Sequence, residues 1–171
     1  MESTDMSRHT VPDGPVQAQK AHPQPLRFQS LAEKSKLFES DTQRFVRNRD
    51  EAYAYHRRAE FFSQDRMRAS LIFNVSAIAI ECYMVALCAY FKTMPVNHSF
   101  TSLVADVEAV MSFPPELVED IRSLDEIFGI CSLDDYHHGT PEADDAEQAL
   151  SLCASLRALL DGLGEPADEG D

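Results

Sequence analysis

The sequence predicts an all-α protein, an up-and-down bundle of five to six helices. Apolar residues recur at intervals of three and four through most of the chain, the period of a helix buried along one face. No run alternates β-branched and polar positions between turn signals, so strands find no support. Hydrophobic residues make up 44% of 171 positions, enough for one packed core, and no self-similarity suggests a repeat array.

Residues 1–25 hold four of the nine prolines among polar residues and read as a disordered leader without the apolar run of a signal peptide. Residues 26–163 form the single predicted domain. From Leu26, the positions Phe28, Leu31, Phe38 and Phe45 give a narrow apolar stripe. The segment 44–68 is basic and aromatic, with Ala52, Tyr55, Ala59 and Phe62 at helical spacing and a break expected near Ser63–Asp65.

Residues 69–91 follow, apolar nearly all round and long enough to cross a bilayer. A central Glu81, with Ser70, Asn74 and Ser76, argues instead for the central helix of a bundle. Phe100, Leu103, Val104, Val107, Val110 and Met111 mark a short helix. Pro114 and Pro115 permit only a helix start, after which Leu117, Val118, Ile121, Leu124 and Phe128 share a face. The last helix is expected to take Thr140 as cap and Pro141 at its first position, and to run through Leu163. Residues 164–171 read as a frayed acidic tail.

The formal charge of −14 disfavours broad binding to nucleic acid or anionic membrane. It is unevenly placed: residues 1–75 carry twelve basic and ten acidic groups, residues 76–171 three and nineteen. The cysteines Cys82, Cys88, Cys131 and Cys153 form no C-x-x-C pair and read as buried thiols of a reducing, cytoplasmic setting. No phosphate-binding loop, dinucleotide glycine pattern or nucleophile elbow is present.

Several residues carry candidate chemistry. Glu81, set among about twenty apolar positions, needs a partner, with Tyr136, His137, Arg122 or a helix N-terminus as candidates. His137 and His138 stand three residues after Asp134 and Asp135, a spacing that suits acid–base work or a divalent ion. Arg44, Arg47, Arg49, Arg57, Arg58, Arg66 and Arg68, interleaved with aromatics, suit phosphate contact or neutralisation of the acidic half. Within that segment Arg49 and His56 have the letters of an Arg–His pair, against a solvated helix face.

The order of these segments resembles the HEPN domain, the higher-eukaryote and prokaryote nucleotide-binding helical bundle. The matching stretches are Ala77–Leu87 around Glu81, Asn97-His98-Ser99-Phe100 with Leu103, Ser132-Leu133-Asp134-Asp135-Tyr136 through Pro141, and Ala146–Leu160. They cover about residues 45–163. The resemblance implies a short, usually dimeric bundle, in some members a ribonuclease, in others a nucleotide binder or the partner of a small nucleotidyltransferase in toxin–antitoxin pairs. Its nucleases use Arg-x4–6-His before the last core helix; here that loop has His137 and His138, but no arginine lies between Arg122 and Arg157. The expectation is therefore a non-enzymatic interaction or nucleotide-binding module. It is a homodimer without a cofactor or membrane span, with Glu81, Tyr136, His137, His138, Arg57 and Arg58 as binding residues. The alternatives are a metal-independent ribonuclease acting on RNA and a divalent-metal-binding bundle.

Overall fold

The computed structural model describes residues 39–128 and 138–166. The expected leader, the stripe from Leu26 to Phe38, Cys131, Tyr136 and His137 lie outside the described residues. Among the described residues the protein is an all-α bundle of five helices: α1 (Asp41–Gln64), α2 (Ala69–Tyr90), α3 (Phe100–Glu108), α4 (Pro115–Ile127) and α5 (Ala143–Leu163).

Ser40 starts α1 with a capping box: its hydroxyl accepts from the Gln43 amide at 3.2 Å, and the Gln43 side chain accepts from the Ser40 amide at 3.0 Å. Phe45, Asn48, Ala52, His56 and Ala59, spaced by threes and fours, face inward. The helix ends where Arg66 adopts φ 52°, a left-handed turn that lets the chain double back. Near this turn α1 and α2 are close in sequence, and at their far ends Phe45 stacks on Tyr90 at 5.6 Å. The two helices are antiparallel.

Helix α2 is the centre of the bundle, packed on α1, α5 and α3. It has the length and hydropathy of a membrane span, but 72% of its most apolar stretch is buried inside the bundle. Its small residues Ala79, Ala86 and Ala89 are fully or almost fully buried. Tyr83, Ile80 and Leu87 are fully buried, each contributing about 1.5–3 kcal/mol by leaving water. Helix α5 runs parallel to α2: the Cys153 thiol donates to the Ser76 carbonyl near one end, and the Tyr90 hydroxyl to the Leu163 carbonyl at the other. The short helices α3 and α4 complete the core with Leu103, Val104, Val107, Ile121 and Leu124. Asp125 of α4 clamps the start of α3, accepting from the Phe100 and Thr101 amides at 3.0 and 2.7 Å.

Two boundaries differ from the sequence expectation. Helix α3 stops at Glu108, so Val110 and Met111 belong to the following turn, closed by amides bonded back to Val107. Helix α5 begins at Ala143 with Glu142 as its cap, not Thr140. Pro141 is buried against the bundle, and the Asp145 carboxylate accepts from the Glu142 amide at 2.7 Å. That bond satisfies the cap amide from within the first turn, as in a capping box.

Candidate functional site

The tertiary contacts sort the seven arginines of 44–68 into two groups. Arg44 pairs with Asp41 at 2.8 Å. Arg47 grips Glu39 through two 2.9 Å bonds and reaches Glu51 at 3.7 Å; the Glu39 bonds raise its pKa further. Arg49 lies over the Phe45 ring, 5.3 Å from its centroid, and bonds Asp50 at 3.2 Å and Glu165 at 2.5 Å. These three hold α1 to its own cap and to the end of α5.

Arg57, Arg58, Arg66 and Arg68 are different. All four are exposed, and among the described residues none has an ion pair. They surround the α1–α2 corner, where Phe61 is 60% and Met67 41% exposed. Arg58 and Phe61 are three residues apart, Arg57 and Phe61 four, so each pair shares a side of the helix. An open groove of about 960 Å³ runs along this side, bordered by Tyr53, Arg57, Arg58 and Phe61 together with the acidic Asp50 and Glu60. Unpaired guanidinium groups beside an exposed ring suit an anionic surface with an apolar socket.

Arg49 and His56 do not form a working pair. They are two turns apart on one helix, and Tyr53 stands between them. Tyr53 donates to Asp161, its ring lies 4.9 Å beneath the Arg157 guanidinium, and burial together with Asp161 pushes its hydroxyl up to about 12. His56, expected on a solvated face, is instead 3% exposed. Its Nδ1 lies 3.0 Å from the Tyr83 hydroxyl and its Nε2 3.6 Å from a Glu60 oxygen. A carboxylate at Nε2 can only accept, so the ring proton sits there and Nδ1 accepts from Tyr83. Burial lowers the imidazole pKa, outweighing Glu60. A sequestered neutral histidine supports packing rather than proton transfer to a substrate.

Glu81 is corrected in both surroundings and partner. Its side chain is 39% exposed, on the side of α2 left open beside α3, and it accepts from His98 Nδ1 at 2.6 Å. Arg122, one expected partner, binds Glu108 at 2.8 Å instead. Nothing local in the Asn97-His98-Ser99 string marks His98 as the partner of Glu81; the signal is tertiary, since seventeen residues separate the pair.

His138 is exposed, donates from Nδ1 to the Gly139 carbonyl at 3.0 Å and stacks on Phe128 at 4.3 Å. Among the described residues no group of three or more His, Cys, Asp or Glu side chains is arranged to hold a metal ion. Burial drives the thiols of Cys82 and Cys153 up to about 12 and that of Cys88 to about 11, which leaves them poor nucleophiles at neutral pH.

No protein-family model, curated protein or solved structure matches the chain.

Proposed function

We propose that this protein is a non-enzymatic helical interaction module on a HEPN-like bundle, and that its contact surface is the arginine corner of α1. The observation that carries this reading is the division of the arginines. Three are consumed by carboxylates, while Arg57, Arg58, Arg66 and Arg68 remain unpaired around the exposed Phe61 and Met67. Asp50 and Glu60 border the same groove, yet in a chain of charge −14 no carboxylate among the described residues pairs with any of these four arginines. Leaving it unpaired is consistent with a site kept for a partner.

The engagement of Arg49 by Glu165 and of His56 by Tyr83 favours this reading over a ribonuclease using that pair. The HEPN likeness of the motif order extends the proposal to a partner protein such as a small nucleotidyltransferase, or to a nucleotide or RNA at the same corner. The test is fluorescence anisotropy with two labelled probes, a short poly-glutamate peptide and a short single-stranded RNA, in EDTA. Binding that falls at least tenfold in Arg57→Glu/Arg58→Glu, with the RNA left intact, supports the module. Cleavage of the RNA, or binding indifferent to the double reversal, sinks it.

A further inference from the structure

We infer that the open side of α2 is the docking site of residues 26–38 of this same chain, which lie against it as a sixth helix. Leu71, Val75, Ile78, Cys82 and Val85 follow one another at intervals of four, three, four and three, the spacing of a seam that receives another helix. Val85 is buried, Leu71, Val75 and Cys82 are half-buried, and Ile78 at the midpoint is 40% exposed. None of the other four helices therefore covers the middle of the seam. Beside it, the buried Asn74 Oδ1 has no hydrogen-bond partner among the described residues, whereas buried acceptors are ordinarily satisfied.

The chain enters α1 from this side. Glu39, the residue that follows the segment, is held by Arg47 through two 2.9 Å bonds, so its carboxylate reaches back along α1 instead of pointing away from the bundle. Arg47 lies on the side of α1 that borders the seam, since the Cys82 thiol senses the charges of Arg47 and Glu51. Because α1 starts beside the Tyr90 end of α2, a segment folded back along the seam runs parallel to α2. Its own stripe, Phe28, Leu31 and Phe38, has intervals of three and seven. In this direction Phe38 falls over Val85, Leu31 over Ile78 and Phe28 over Val75, with the small Ser35 at Cys82. Thirteen helical residues span about 20 Å, and the distance from Leu71 to Val85 along α2 is about 21 Å. Charge agrees with the placement: the segment carries Arg27, Lys34 and Lys36 against Glu33, and Glu51 and Glu81 flank the seam.

The test is proximity within the full chain. In a background of Cys82→Ser and Cys131→Ser, with Cys88 and Cys153 buried, Leu31→Cys/Ile78→Cys places two thiols at opposed positions of the seam, within reach of a disulfide. Mild oxidation should close that bond within one chain, read by peptide mass mapping, at least about fivefold more often than in Leu31→Cys/Phe61→Cys, whose second thiol sits at the α1–α2 corner. A bond no more frequent than in that control overturns the inference. So does a bond between two chains, which would give the seam to another copy. The docked segment also shields Cys82. In the Cys131→Ser chain, Phe28→Asp/Leu31→Asp should raise the rate of maleimide labelling at Cys82 at least about fivefold, because labelling follows access to the thiol. An unchanged rate in a variant that still melts cooperatively overturns the inference as well. If the aspartates unfold the chain, the cross-link alone decides.

Discussion

His56 and Tyr83 share a buried hydrogen bond, with 3.0 Å between Nδ1 and the hydroxyl and the two rings edge to face at 6.0 Å. They join the middle of α1 to the middle of α2. The groups facing the imidazole are Glu60 of α1, Tyr83 of α2 and Arg157 of α5. Arg157 opposes a second positive charge there, while Glu60 favours it.

This pair makes stability depend on pH. The folded pKa of His56 is depressed by burial, below an unfolded value of about 6.5. The unfolded chain then binds more protons in the interval between the two values. The contribution of neutral His56 is complete above pH ~6.5 and is lost as pH falls through the folded value. Thermal melts between neutral and mildly acidic pH should show a fall in Tm that His56→Gln flattens. An equal fall in the variant would assign the effect to other groups.

Removing one partner leaves the other unsatisfied. Tyr83→Phe keeps the ring and its burial but strands Nδ1, at a cost of about 1–3 kcal/mol. Urea denaturation checks this. A loss below a few tenths of a kcal/mol would mean that the hydroxyl is dispensable.

Glu81→Gln and His98→Ala should behave as changes to a half-exposed pair, each costing about 0–1 kcal/mol. A double-mutant cycle on melting free energies measures the coupling. Coupling of several kcal/mol would restore the buried-anchor view of Glu81.

Gly139 has a steric requirement. A Cβ there would lie 2.9 Å from the Ile127 carbonyl oxygen, the atom to which the Gly139 amide donates at 2.7 Å. Backbone cannot yield as a flexible side chain would, so Gly139→Ala should destabilise by about 1–3 kcal/mol. An unchanged denaturation midpoint would show that the antiparallel backbone bridge between Phe128 and His138, which this bond adjoins, is not needed for stability.

The arginines give a sharp contrast. Arg57→Gln and Arg58→Gln should leave stability within about 0.5 kcal/mol. Arg49→Gln loses its stack on Phe45 and its link to Glu165 and should cost about 1 kcal/mol. Equal effects at all three positions in chemical denaturation would erase the division on which the interaction surface depends.

Much of the helical architecture is written locally. The three–four spacing of Phe45, Ala52 and Ala59, the prolines before α4 and the apolar run of α2 each act within a few residues, so they can be read without knowing what lies across the core. The start of α5 differs from the threonine–proline signal: Glu142 is the cap, its amide bonded by the Asp145 carboxylate. The candidate site was far less legible. Arg49 and Arg57 look alike in sequence, but one meets Glu165, 116 residues away, and the other has no ion pair among the described residues. His56 and Glu81 exchanged their expected surroundings for the same reason: a period shows which residues share a helix face, not what that face meets. The sequence by itself determined the helices and the separation of charge. Only the tertiary structure decided which charges among the described residues are neutralised and which are left without an ion pair, because ion pairing is set by distances between segments that no local pattern encodes.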